Sequence, residues 1–144
     1  MAYVVVDTDV ASQILRDRLP TPLATRLTGN TLCATFVTVA ELTQWAAMNT
    51  WGPRRKLALT HWLTSVLVLP YNEREDDTVL EDVARTWGEI SARARLRGRP
   101  RPQNDTWIAA CCLVYGLPLA TLNTKDFADF VEHDGLTLVT GQEI

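Results

Sequence analysis

Five short apolar runs, separated by segments with helical spacing, constrain this chain more than any other feature. Tyr3–Val6, Thr31–Thr35, Val66–Leu69, Leu119–Leu122 and Leu136–Val139 are rich in Val, Leu and Thr. Short continuous runs suit strands covered on both faces. Between them, Val10, Ile14 and Leu15 give helical spacing, and a short helix is expected around Leu23–Leu27. Thr38-Val39-Ala40-Glu41 reads as a capping box heading a helix towards Met48. Arg54 to Thr64 is read as helical. Glu73 to Arg97 is read as a longer helix, with Val79, Leu80, Val83, Ala84, Trp87 and Ile90 on one face. Asn104 is expected to cap a helix over Asp105 to Tyr115, with Gly116 ending it. Asp126–Val131 is a further short helix. Alternation of this kind calls for an α/β fold: a parallel sheet of about five short strands with helices on both faces. No internal repeat, low-complexity tract or long linker divides the chain, so residues 1–144 are expected to form a single domain.

Composition narrows the function. Of 144 residues, 47% are hydrophobic and the net charge is −3, which argues against bulk coating of nucleic acid but not against a local basic patch. There are three cysteines, two of them adjacent, and two histidines. That set supports neither a disulfide framework nor a zinc ribbon nor a histidine cage. Cys111 and Cys112 are expected to be small buried hydrophobes on a helix. No apolar run approaches the roughly 20 residues of a membrane span. The N-terminus lacks the pattern of a signal peptide, so a cytoplasmic location is expected.

In an open parallel sheet, active groups collect beyond the carboxyl ends of the strands. Asp7 follows the first run, Glu41 opens the helix after the second, Asp105 opens the helix before the fourth, and Asp126 lies just after the fourth. Singly, each except Asp7 is better explained by a helix cap or the helix dipole. As a set they repel one another, and ionised carboxylates sharing a small volume require a counter-charge. Lys125 adjoins Asp126; the other three are read as lacking a cationic neighbour. Oxygen-only ligands select hard ions, Mg²⁺ or Mn²⁺, over zinc. Such a cluster suits phosphodiester hydrolysis by metal-activated water.

Val4-Val5-Val6-Asp7-Thr8-Asp9, Thr38-Val39-Ala40-Glu41-Leu42, Asn104-Asp105-Thr106-Trp107-Ile108-Ala109-Ala110 and Leu119-Ala120-Thr121-Leu122-Asn123-Thr124-Lys125-Asp126-Phe127 occur in this order. Together they resemble the PIN-domain ribonucleases, and most closely the VapC toxins of bacterial VapBC toxin–antitoxin pairs. The resemblance covers nearly the whole chain. It implies a PIN-like fold and a toxin-type endoribonuclease dependent on Mg²⁺ or Mn²⁺, with Asp7, Glu41, Asp105 and Asp126 as catalytic and metal-holding residues. Thr8, Thr121 and Asn123 match the family's supporting positions. Such toxins more often carry a small polar residue at position 9, and Asp9 is assigned to capping the helix. The resemblance also implies a VapB-type antitoxin partner, and a homodimer is expected.

Eight of the 14 basic residues fall in two runs, Arg54–Lys56 and the five arginines between Arg93 and Arg101. The second run is expected to end as a flexible arm, with Arg97, Arg99 and Arg101 contacting RNA phosphates. Arg54, Arg55 and Lys56 are expected to be solvated surface. Trp62, Trp87 and Trp107 are placed in the core, and Trp45 and Trp51 on a partner surface near the Glu41 helix. One rival is a haloacid-dehalogenase-type phosphatase, with Asp7 as nucleophile and Asp9 as acid/base. Against it, Ala11 stands where that class usually has Thr or Val, and no Gly-Asp-x-x-x-Asp follows a later strand. A non-catalytic PIN-like module binding RNA or protein is the other rival, and the presence of all four acids argues against it.

Overall fold

The computed structural model describes residues 2–71 and 77–141. The strands are β1 (Tyr3–Val6), β2 (Thr31–Thr35), β3 (Leu67–Leu69), β4 (Leu119–Ala120) and β5 (Leu138–Val139). The helices are α1 (Thr8–Leu15), α2 (Thr21–Leu27), α3 (Phe36–Met48), α4 (Pro53–Ser65), α5 (Val79–Leu96), α6 (Gln103–Tyr115) and α7 (Thr124–Asp134). The strands form one sheet in the order β3-β2-β1-β4-β5, and every pairing is parallel. The chain therefore steps outward from β1 through β2 to β3, then returns to the other side of β1 for β4 and β5. The reversal lies between β1 and β4, and ligand crevices open at the carboxyl side of such a switch.

Successive side chains of β1 face opposite ways, which splits the core. Val5 packs with Cys33, Leu69, Ile90, Ile108 and Phe130, beneath α5, α6 and α7. Val4 and Val6 pack with Val10, Leu23, Leu42 and Leu59, beneath α1 to α4. Each sheet face is thus covered by helices, as the runs of apolar residues require. Cys111 and Cys112 lie side by side in the first of these layers, buried and unbridged. Among the described residues, no helix is long and apolar enough to cross a membrane.

Several boundaries differ from expectation. β2 runs straight into α3, whose N-cap is Thr35: its hydroxyl accepts from the Thr38 amide at 3.4 Å. Thr38 therefore sits inside the helix and the Thr38–Glu41 capping box does not form. Asn104 does not cap α6 either; that helix begins at Gln103 after Pro102, without a side-chain cap. Gly116 ends it in the left-handed conformation (φ 64°), as expected. Helix α5 begins at Val79, and the part of the expected helix at Glu73–Asp76 lies outside the described residues. Helix α7 is longer than expected and runs to Asp134. Trp87 stacks on Trp107 (centroids 4.9 Å apart) against the core. Trp51, expected on a partner surface, is only 6% exposed. The chain turns after α3, the Trp51 amide donates to the Ala46 carbonyl, and Arg55 covers the ring at 3.8 Å.

Candidate active site

Asp7 leaves β1 at the switch point. Its Oδ1 accepts from the Val10 amide at 2.9 Å, which makes it the N-cap of α1. Its Oδ2 accepts from the Thr121 hydroxyl at 2.5 Å, tying the ends of β1 and β4 together. Thr121 in turn accepts from the Asn123 amide at 2.9 Å. Asp7 is 4% exposed. Burial raises its pKa from 3.8 to about 6; Thr121 and Val10 oppose the shift, and Asp9 and Asp105 add to it. Two good hydrogen bonds do not outweigh desolvation and like charge.

Glu41 is half-buried on α3, one turn further along than the capping-box reading placed it. The Thr8 hydroxyl donates to its Oε1 at 2.8 Å and lies 3.0 Å from the Thr38 hydroxyl. A buried pair of threonines from α1 and α3 thus aims the carboxylate. Asp105, in the first turn of α6, is also half-buried. Its pKa rises to about 6 through burial, then through Asp126 and Glu41, with Arg101 opposing. Asp126 is exposed in the first turn of α7.

All four acids line one cavity of about 70 Å³, together with Thr8 and Asn123. Trp45, Ile108 and Phe127 form its apolar wall. Asp9 lines it too. It does not cap α1, because Asp7 does; it accepts instead from the Asn123 side-chain amide. A pair of acids two residues apart at a helix start leaves open which one caps, and the shorter reach from the strand end gave the position to Asp7.

The basic run after α5 is folded against α7. Arg93 pairs with Asp134 at 3.0 Å, while Arg99 (3.4 Å) and Arg101 (3.7 Å) share Oδ2 of Asp129. Arg101 also donates to the Asp126 carbonyl at 3.3 Å. Nε and Nη2 of Arg97 are shielded from solvent without a hydrogen-bond partner. The expected flexible arm is therefore an anchored segment that brings Arg101 to the rim of the acids. Its position four residues before Asp105 was the available signal that Asp105 has a cationic neighbour after all.

The donor set is all oxygen and carries mutual repulsion, which fits a hard divalent cation. Among the described residues, no three His, Cys, Asp or Glu side chains are already gathered into a group that holds a metal ion.

The PIN domain family model matches residues 4–132. Ribonuclease VapC2 of Haemophilus influenzae is 26% identical over 129 residues, 88% of this chain and 91% of the relative. The solved structure of VapBC-1 from nontypeable Haemophilus influenzae is 25% identical, with a TM-score of 0.78 over 99% of this chain and 100% of that one. DNA-bound VapBC from Salmonella typhimurium shares the fold at a TM-score of 0.79 and 22% identity, covering 99% of this chain and 100% of that one. With the family match running from β1 into α7, and the fold agreeing over nearly the whole chain, this protein belongs to the PIN-domain family.

Proposed function

We propose that the protein is a toxin-type endoribonuclease dependent on Mg²⁺ or Mn²⁺ and held in check by a VapB-type antitoxin. The observation that carries this is the convergence of Asp7, Glu41, Asp105 and Asp126 on one cavity, two of them pushed up to about 6 by burial and by one another. Acids that raise one another's charging cost fit a cation as their counter-charge. Asp7, Glu41, Asp105 and Asp126 would hold a divalent ion, which supplies water of lowered pKa and a counter-charge for the phosphate.

The chain's own part is preorganisation. Thr121 and the Val10 amide hold Asp7 at a fixed angle, and Thr8 aims Glu41. Arg101, tied to Asp129 and to the Asp126 carbonyl, stands ready for a substrate phosphate at the rim, with Arg99 beside it. Contacts of that kind position RNA without reading its sequence.

The VapBC complexes among the structural relatives support an antitoxin partner. Trp45, on the wall of the acidic cavity, is the apolar contact available to a segment lying along α3, since Trp51 is buried. A basic side chain from that segment would occupy the carboxylates in place of the cation.

The test is cleavage of labelled RNA by the purified protein. Activity in Mg²⁺ or Mn²⁺, none in EDTA, and none in folded Asp7→Asn, Glu41→Gln, Asp105→Asn or Asp126→Asn is the expected pattern. Undiminished cleavage in chelator overturns the reading. Hydrolysis of phosphate monoesters without RNA cleavage would instead support the phosphatase.

A further inference from the structure

A second charged feature lies at the far end of α1. Arg16, Arg18 and Arg55 line a cavity of about 420 Å³, with Leu15 as its apolar member. Arg54 and Lys56 flank Arg55 in the first turn of α4. Among the described residues none of these five has a carboxylate partner, whereas Arg93, Arg99 and Arg101 all have one on α7. Five of 14 basic residues thus crowd together unneutralised in a chain whose net charge is −3.

Asp17 stands between Arg16 and Arg18 in the chain, and among the described residues it pairs with neither. The carboxyl end of α1 favours nearby cations, which accounts in part for Arg16 and Arg18. At α4 the dipole works the other way: Arg54, Arg55 and Lys56 sit at the positive end of the helix, where no acid stands and no side chain caps. Arg55 is held flat on Trp51 at 3.8 Å, and its Nη2 is shielded from solvent without a hydrogen-bond partner. Partial desolvation and the charge of Arg16 push its pKa down. An oriented guanidinium beside two others, above a helix amino end, is complementary to a phosphate.

We propose that Arg16, Arg18 and Arg55 form a second phosphate site that grips the RNA backbone at a distance from the cleaved bond. This rests on the ribonuclease reading. Helix α1 links the two places: it is capped by Asp7 in the acidic cavity and ends at Arg16, nine residues on, which at 1.5 Å per residue is about 13.5 Å away. A single strand with its scissile phosphate at Asp7 reaches the arginines within a few nucleotides. A folded protein segment is a poorer fit, because the cavity presents one apolar residue and Trp51 is covered by Arg55.

The experiment compares wild type with the triple variant Arg16→Gln/Arg18→Gln/Arg55→Gln. RNA binding is measured in EDTA by fluorescence anisotropy, with a dinucleotide, too short to reach from Asp7 to the arginines, as the short strand and a long one of about sixteen nucleotides. The variant should lose the extra affinity of the long strand, and its slope of log Kd against log salt should fall by about 2, near 0.7 for each phosphate no longer neutralised. In Mg²⁺ it should cleave the short strand at the wild-type rate, and it should stay folded at the assay temperature, since no ion pair is removed and the loss is confined to the Arg55 contact on Trp51. Should the triple variant fold poorly, Arg18→Glu at an exposed position repeats the comparison. An unchanged slope in a protein that still cleaves RNA overturns this site alone. So does loss of binding to polyglutamate with RNA binding intact, which would assign the patch to an acidic protein. Wild type that neither binds nor cleaves RNA overturns the ribonuclease reading together with the site.

Discussion

Asp7→Asn in metal-free buffer should make the protein more stable while abolishing its activity. The carboxyl of Asp7 is raised from 3.8 to about 6. At 1.36 kcal/mol per unit, keeping it ionised near neutral pH costs about 3 kcal/mol. Asparagine removes that cost. Its side-chain oxygen still accepts from the Val10 amide, so the cap of α1 survives. The Thr121 hydroxyl loses its carboxylate acceptor, which returns about 1 kcal/mol. The net gain is about 2 kcal/mol, or a rise in Tm on the order of 4–8 °C for a chain of this size. Between 3.8 and about 6 the native state holds a proton that the unfolded chain has released, so wild-type stability falls as pH rises through that window. The advantage of the variant should therefore be full near neutrality and gone near pH 4. Urea unfolding of both proteins in EDTA at these two pH values measures it. A variant less stable than wild type at neutral pH, or one whose gain is the same at both, refutes the account of Asp7 as a buried carboxylate awaiting a cation.

The same electrostatics carries three further expectations. Mg²⁺ at about a hundred times its Kd should add roughly 2.7 kcal/mol to wild type by linkage, and much less to Asp7→Asn; differential scanning calorimetry reads the difference. Thr8→Val removes the donor to Glu41 and should weaken Mg²⁺ binding by about tenfold or more in isothermal titration, and an unchanged affinity would mean that Glu41 needs no aiming. Asp129→Ala leaves Arg99 and Arg101 without their shared carboxylate and should cost about 2 kcal/mol in urea unfolding, while weakening RNA binding despite the loss of a negative charge. Tighter RNA binding by that variant would show that Asp129 only offsets charge and does not hold Arg101 in place.

Much of the sheet was legible because an apolar run reports burial. Val4, Val5 and Val6 are buried whichever way they point, and only a parallel strand between two helical layers satisfies that. The run does not report pairing. Leu136 is 3% exposed yet lies outside β5, and Leu122 lies beyond the two-residue β4. Strand order was out of reach, since the placement of β1 between β2 and β4 is decided by contacts over a hundred residues apart in sequence. The capping-box error is local. Thr35 and Thr38 are both plausible caps, and the glutamate three residues after Thr38 favoured the wrong one. Because β2 enters α3 with no loop, the earlier threonine caps, and Glu41 is left free to turn into the cavity. Three of the acids, Asp7, Glu41 and Asp126, were legible for a simpler reason, while Asp105 opens the helix that leads back into β4 and so starts at the same edge. In a parallel sheet every strand delivers its following residues to the same edge, so position after a strand is already position in space.

The arginines show where this logic stops. A run of like charges in sequence says nothing of its partners, and here the two runs exchange roles on folding: α7 supplies carboxylates to the later one, and among the described residues no carboxylate pairs with Arg54–Lys56. The exchange has a consequence for the acidic cavity. Screening limits a charge's reach to about 8 Å at physiological salt. The patch at Arg16, about 13.5 Å from Asp7 by helix length, can attract a polyanion without neutralising the acids. Arg101 does lie within reach of Asp105, yet part of its charge is committed to Asp129. On the proposed reading the cations at Arg16, Arg18 and Arg55 stand apart from the acids while Arg101 sits at their rim, and the proposed demand for a divalent ion at Asp7 and Asp105 would survive the 14 basic residues of the chain. Moving one unpaired arginine to within hydrogen-bond reach of Asp105 should abolish that demand, and with it the activity.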